Sequence, residues 1–183
     1  MAVVVSCDIK YYDRFAGPFV RSIRRNTKQN AVYVCVTTED MQPWEYASAR
    51  FFFAQKILEP ELVILDVDSL CIGDFDLPAG DVGLYLRSEA RDEMKVAAGM
   101  VVIRHRPWLD MLCMNLARES GWFADQKALW KTYQSRSVDY FDVSPFITWD
   151  FDEKPIWTAK GARKRYEPWK SMFAKYDHPD LRA

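Results

Sequence analysis

No apolar run in the 183 residues approaches the roughly 20 that a membrane-spanning helix needs. The opening Ala2-Val3-Val4-Val5 is too short for a secretory leader and has no basic lead. Cysteine is scarce: Cys7, Cys35, Cys71 and Cys113 stand far apart, with no CxxC. That spacing argues against a zinc site or a disulfide framework and reads as thiols of a reducing compartment, so a cytoplasmic location is expected. Neither sign of charge dominates. Lys and Arg total 25 against 26 Asp and Glu, a net of -1, which argues against a general nucleic-acid coat or a polybasic membrane binder. There is no Gly/Ser-rich linker and no internal repeat, so residues 1–183 read as one domain.

What is present suits a soluble, well-filled globule. Hydrophobic residues make up 49%, charged residues 28% and aromatics 15%, with seven Trp available for a core or for stacking on flat ligands. The charge is unevenly placed. Residues 154–183 carry eight Lys/Arg against three acids, a surplus of +5, which leaves 17 against 23 and -6 for the rest. Such a basic tail is either a solvated surface or a clamp that closes over an anionic ligand held by the acidic body.

Short β-branched runs at Ala2–Cys7, Ala31–Thr37 and Leu62–Leu65 read as buried strands. Between them, Asp13–Arg25 sets Phe15, Phe19 and Ile23 four apart on one helical face, with Gly17-Pro18 able to delay or kink its start. Trp44–Leu58 is a second helix, stopped near Pro60. Val82–Leu86 and Ala98–Ile103 are further strands. Pro107–Glu119 and Trp122–Tyr133 are helices, and Ser137–Val143 alternates like a strand. Beyond Asp150 no period stands out. This alternation predicts an α/β fold with a mainly parallel central sheet and helices on both faces. Ligands of such sheets gather at the carboxyl ends of the strands.

At one such end stands Asp66-Val67-Asp68. A buried strand running straight into Asp-x-Asp delivers two carboxylates to the sheet edge, and both face one cation if the strand continues. Oxygen-only ligands suit Mn²⁺ or Mg²⁺, which then bridges a diphosphate. The alternative is a turn cap and a solvated acid.

The stretch LVILDVDSLCIGDFDLP, residues 62–78, resembles the DxD segment of GT-A fold glycosyltransferases, most of all glycosyltransferase family 8, the galactosyltransferase/glycogenin-like group. Four more segments fall in the family's order. Ser6-Cys7-Asp8 through Tyr11 resembles the strand and turn that receive the nucleobase and ribose. Ala97-Ala98-Gly99-Met100 stands where the family has Asn-Ala-Gly-Val. Trp122-Phe123-Ala124-Asp125-Gln126 resembles the Asp-Gln motif beside the transferred sugar. Thr158-Ala159-Lys160-Gly161-Ala162-Arg163-Lys164 is similar to His-x-x-Gly-x-x-Lys, which closes on the diphosphate. The resemblance implies a single GT-A, Rossmann-like domain whose tail, residues 154–183, closes over the donor. It implies a metal-dependent transferase, retaining in stereochemistry, that uses a nucleotide-sugar, most readily a UDP-sugar. Asp66 and Asp68 would hold Mn²⁺ or Mg²⁺; Asp8, Tyr11, Arg50, Asp66, Gly161 and Lys164 would contact the donor; Asp125 and Gln126 would be catalytic.

Each of these residues also has a plainer reading. Asp8 accepts from ribose hydroxyls or a uracil N–H, or it holds a turn. Tyr11 and Tyr12 stack on a base or pack. Arg50 reaches the donor or pairs with an Asp near the metal. Asp125 or Gln126 stabilises an oxocarbenium-like centre, or Asp125 favours a helix start. Lys164, with Arg163 or Lys160, neutralises the leaving diphosphate or belongs to a solvated run. His105 reads as a surface or loop residue. Trp108, Trp122, Phe123 and Trp130 read as core, whereas Trp149, Trp157 and Trp169 are candidates for stacking on a sugar.

The chain departs from the family at three places. The family's Asn is Ala97. The metal-binding His is Thr158, for which water, substrate phosphates or His178 would have to substitute. The region after the DxD segment is short, so the acceptor site is open or completed by a partner or a second subunit, such as a homo-oligomer would supply. The acceptor is unassigned: a glycan, a lipid-linked sugar, a protein or a DNA base. Two other functions compete. A phosphohydrolase of the haloacid dehalogenase type also carries Asp-x-Asp, with Asp66 as nucleophile. A GT-A domain that binds without turnover is the other.

Overall fold

The structure, a computed structural model, describes residues 1–28, 31–37, 40–135 and 138–177. The first strand, β1 (Ala2–Asp8), is apolar on both faces and lies between β2 (Ala31–Thr37) and β3 (Leu62–Leu65), parallel to both. Beyond β3 come β6 (Val96–Ile103), β5 (Val82–Leu86) and β7 (Tyr140–Asp142), giving the order β2-β1-β3-β6-β5-β7. β6 runs antiparallel to both neighbours and β7 is parallel to β5, so five of the six strands share a direction, as the βα alternation predicted. β7 begins at Tyr140, later than the alternation from Ser137 suggested, and Ser137 lies outside the described residues.

Alternate strand residues feed two apolar layers. Ala2, Val4, Leu62 and Ile64 face Phe51, Trp108, Leu112 and Leu129; Val3, Val5, Val63 and Leu65 face Phe15, Phe19 and Ile23. On the first face pack α3 (Pro43–Ala54), α4 (Arg106–Leu116) and α5 (Ala124–Gln134). On the second packs α2 (Gly17–Asn26), reached through a short helical turn, α1 (Ile9–Tyr11), and a π-helical turn, Tyr12–Ala16. Pro18 sits in the first turn of α2, so Gly17-Pro18 marks a helix start within the longer helix expected from Asp13. α3 stops at Ala54, earlier than the expected Leu58, and its start has a reciprocal capping box between Gln42 and Glu45. His105 caps α4, its Nδ1 accepting from the Trp108 N–H at 3.2 Å, which accounts for it structurally.

The region after Asp150 holds more order than its sequence signalled. β4 (Ser69–Cys71), β9 (Ile156–Thr158) and β8 (Ile147–Thr148) form a second, small sheet in the order β4-β9-β8. A 3₁₀ turn, Gly161–Arg165, and helix α6 (Trp169–Asp177) follow. Trp157 and Trp169 are buried with Leu70 and Tyr176, and Trp149 packs on Tyr85. Trp157 and Trp169 are packing residues, which corrects their reading as candidates for sugar stacking, whereas Trp149 is half-buried. No helix among the described residues is long and apolar enough to cross a membrane.

Candidate functional site

The DxD segment is the turn between β3 and β4. Ser69 N–H donates to the Asp66 carbonyl at 3.2 Å and closes that turn. β4 pairs antiparallel with β9 in the register Ser69–Thr158, so the strand leaving the acids is zipped to the strand leading into the lysines. Ala159 N–H then donates to the Asp68 carbonyl at 3.3 Å. One small sheet thus brings Lys160, Gly161 and Lys164 over the carboxyl end of β3. Gly161 has φ +60 and open space where a Cβ would lie, so it is the backbone turn that requires glycine there.

A cavity of about 390 Å³ opens at this edge. Its walls include Ser6, Cys7, Asp8 and Tyr11 from β1 and the turn after it, Tyr46 and Arg50 from α3, and Asp66 and Asp68. Lys160, Gly161 and Lys164 roof it, and Trp122 joins the wall. Segments far apart in sequence therefore meet as the motif order implied.

Beneath the acids, Arg50 is buried at 1% exposure. Its guanidinium donates to Asp66 Oδ1, to Asp125 Oδ2 at 3.2 Å and to the Ala98 carbonyl at 2.8 Å. Arg50 thus pairs with an Asp, one of its two readings, and reaches two carboxylates at once, and it also stands on the cavity wall. β6 accommodates this cluster by an irregularity: its pairing with β5 jumps from Gly83–Val102 to Tyr85–Ala97. Gly99 lies in the surplus stretch, where a Cβ would come within 3.5 Å of Asp66 Oδ2 and 3.3 Å of Ile147 and Trp149.

Above the acids sit the ammonium groups. Lys160 Nζ lies 3.3 Å from Asp66 Oδ2, and Lys164 Nζ lies 2.6 Å from Asp68 Oδ2. Lys164 also donates to the Tyr11 hydroxyl at 3.1 Å and sits over the rings of Tyr11 and Phe15, 4.6 and 4.8 Å from their centroids. Burial pushes the Asp66 pKa up, but Lys160 and Arg50 outweigh it and hold the carboxyl at about 2. Asp68 is shifted up, by burial and by the charge of Asp66, against the pull of Lys164. Asp125 is also raised by burial, with Arg50 opposing. Burial works against the charge of Lys164, yet Asp68 prevails and its pKa rises.

Asp8 takes its plainer role as well as a place on the wall: its Oδ1 accepts from the Tyr11 N–H at 2.7 Å and caps the turn. Asp125 and Gln126 do not line the cavity. Asp125 stands behind Arg50, and Gln126 Oε1 accepts from Arg87 at 2.5 Å. Tyr12 is exposed and off the wall. Trp122, read as core from its aromatic neighbours, is instead 71% exposed at the cavity mouth, a correction that periodicity alone had no means to supply. Phe123, the residue before α5, is half-buried and outside the core clusters.

Asp66 and Asp68 are the two carboxylates that would hold a Mn²⁺ or Mg²⁺ here. Among the described residues no three His, Cys, Asp or Glu are grouped to hold a metal ion. Thr158 is fully buried, its hydroxyl without a hydrogen-bond partner, and it stays behind the cavity wall. His178 lies outside the described residues. Arg50 holds Asp66 Oδ1, Lys160 stands 3.3 Å from Asp66 Oδ2, which is buried without a hydrogen-bond partner, and Lys164 holds Asp68 Oδ2.

No protein-family model matches the chain, and no curated protein matches it in sequence. Solved structures do match in shape. The apo form of the glycosyltransferase GlyE from Streptococcus pneumoniae TIGR4 aligns over 98% of this chain with a TM-score of 0.68 and 16% identity. A glycosyltransferase involved in glycosylation of the major capsid of PBCV-1 aligns over 97% of this chain and 100% of its own, with a TM-score of 0.65 and 11% identity. An active-site mutant of LgtC aligns over 97% of this chain and 95% of its own, with a TM-score of 0.64 and 12% identity. The chain has the fold of these glycosyltransferases. It spans 60% of the GlyE chain. The GT-A-like, mixed α/β architecture expected from the sequence is the one observed, and the cavity lies at the carboxyl edge where such sheets bind ligands.

Proposed function

We propose that the chain is a glycosyltransferase that binds a nucleotide-sugar, most readily a UDP-sugar, in this cavity and passes the sugar to an acceptor hydroxyl. The observation that carries the reading is the convergence of Asp8, Asp66, Asp68 and Lys164 from three separated segments on one cavity at the carboxyl edge of the sheet. LgtC, whose fold this chain shares, has been solved as a galactosyltransferase with donor and acceptor sugar analogues. In this reading the nucleoside lies against β1 and α3, where the Asp8 carboxylate faces the ribose and Tyr11 the base. The diphosphate lies under Lys160 and Lys164.

As the bond between the anomeric carbon and the diphosphate oxygen breaks, its electron pair stays on the diphosphate, where the two ammonium groups meet the growing charge. The acceptor oxygen forms the new bond, and its proton leaves to the diphosphate or to solvent. Asp125 and Gln126 stand one layer back. Their part is to fix Arg50 and, through Arg87, the rim near the sugar, with direct contact to the anomeric carbon requiring Gln126 to leave Arg87. The phosphohydrolase reading requires Asp66 to attack a phosphorus atom. Arg50 and Lys160 hold its two oxygens, which speaks against that role.

Thermal shift with UDP, GDP, CDP and their sugars, with Mn²⁺ or EDTA, tests the reading. A ligand at 100 times its Kd raises stability by about 2.7 kcal/mol. One nucleotide series should stabilise the chain and its sugar conjugate should be hydrolysed slowly or transferred. Binding without turnover toward any acceptor would identify a binding module. Stabilisation by none would overturn the donor site.

A further inference from the structure

We infer that the chain holds the donor diphosphate with its own lysines in place of a divalent cation, an inference that rests on the nucleotide-sugar reading of the cavity. A DxD metal site works as a bridge, carboxylate to cation to phosphate. Here the carboxylate side of that bridge is complete and its cation positions are filled by side chains: Lys160 on Asp66 and Lys164 on Asp68. Among the described residues no third His, Cys, Asp or Glu joins the two acids. The place of the resembled family's third ligand, a His, is taken by Thr158, which is buried behind the wall, in the cross-strand pair that builds the roof.

Donor counting shows that the bridge still closes. An ammonium has three N–H donors. Lys164 gives one to Asp68 and one to the Tyr11 hydroxyl, which leaves one for a phosphate oxygen. Lys160 is ion-paired with Asp66 at 3.3 Å without a hydrogen bond between them, so its donors are uncommitted, and its side chain is 49% exposed and free to lean toward a ligand. Lys164 therefore bonds carboxylate and phosphate together, and Lys160 stays paired with its acid while its donors reach the phosphate. Charge points the same way. The cavity wall carries Asp8, Asp66 and Asp68 beside Arg50, Lys160 and Lys164, and Asp125 stands behind Arg50, so three cations already offset most of the negative charge that a divalent ion would meet. Around the roof, residues 160–165 hold Lys160, Arg163, Lys164 and Arg165 with no acid among them, a field that favours an anion.

The test is calorimetry with UDP, GDP, CDP and inorganic pyrophosphate, each in EDTA and in Mn²⁺. A nucleoside diphosphate should bind in EDTA with a Kd within about threefold of its value in Mn²⁺. Lys160→Ala and Lys164→Met should each weaken that EDTA binding by about tenfold, the scale of one charge-assisted hydrogen bond. Circular dichroism and thermal melting establish that both variants are folded, and the exposed Lys160 keeps the test available if Lys164→Met is not. Binding that appears only with Mn²⁺, or is tenfold or more tighter with it, overturns the inference and leaves the nucleotide-sugar reading standing. Binding in EDTA that neither lysine variant weakens also overturns it. Absence of binding in both buffers overturns the nucleotide-sugar reading itself, and the inference with it.

Discussion

The floor and the roof of the cavity hold the same acids by opposite means. Below, Arg50 is 1% exposed and spans Asp66, Asp125 and a strand carbonyl, with no freedom to change partner. Above, Lys160 is half exposed and Lys164 rests on aromatic rings, each with N–H donors to spare. Arginine suits the floor because its planar fork fixes several acceptors at once; lysine suits the roof because a point charge on a flexible stem adapts to an arriving anion. The floor is a structural element that happens to touch the ligand site. The roof is a ligand element that happens to touch the floor's acids. Removing floor charges should therefore unfold the chain, whereas removing roof charges should spare the fold and cost binding.

Arg50→Ala is the strongest challenge to that division. It leaves Asp66 and Asp125 buried with no guanidinium, a loss of about 3–5 kcal/mol. Urea denaturation measures it, and a loss under 1 kcal/mol would place Arg50 with the roof. Next in size is the acid sensitivity of Asp66. Its pKa is about 2 in the folded chain against an ordinary 3.8. As pH falls the unfolded chain takes up the proton first, so the Asp66 contribution is complete above about pH 4 and is lost as pH falls through 2, in total about 2 kcal/mol. The stability gap between wild type and Asp66→Asn should narrow across that window. Asp68 and Asp125 have raised pKa values and respond with the opposite sign, so the gap between the two proteins, in place of the raw acid curve, isolates Asp66.

The floor was also the more legible region. Strands β1, β3 and β6 are continuous apolar runs, and Asp66 and Asp68 follow the third run without a break, so sheet and acids are visible in the residues themselves. Arg50 carried two open readings because a helix pattern says which face it occupies and nothing of what lies across from it. The roof was legible only by motif order. β4, β8 and β9 are two or three residues long and take their pairing from one another, β4 with β9 at a sequence separation near 90 residues, too short and too scattered to show a local period. The same limit hid Trp122. Its apolar neighbours suggest core, but Gly121 at φ +84 turns the chain just before it and leaves the indole in solvent. Trp157 and Trp169 show the reverse error: an irregular stretch reads as free to stack on a sugar, yet the small sheet gives it an interior.

On the roof, Lys164→Met keeps the stem on Tyr11 and Phe15 and removes only the charge. Asp68 then loses its cation, but its pKa, already raised by burial and by Asp66, can rise further and let the group take a proton. That release limits the loss to about 1 kcal/mol at neutral pH, measured by denaturation. The cost should shrink as pH is lowered and Asp68 takes up a proton more readily. A loss near 3 kcal/mol would make Lys164 part of the floor.

Lys160→Ala should do least to the fold. Its ion pair with Asp66 is 3.3 Å long and its side chain is 49% exposed, so solvent screens most of the attraction, and Arg50 remains on the same carboxylate. The expected change is within about 0.5 kcal/mol, the range of an exposed pair, and it should fall further in 0.5 M salt. Lys160→Arg sharpens the point. A guanidinium restores the charge but presents a planar fork where an ammonium points its three donors freely, so the variant should match wild type in stability while differing from it in nucleotide affinity. If instead Lys160→Ala destabilises the chain by as much as Lys164→Met, the roof is holding the fold together through Asp66, and the separation between a fixed floor and an adaptable roof does not describe this cavity.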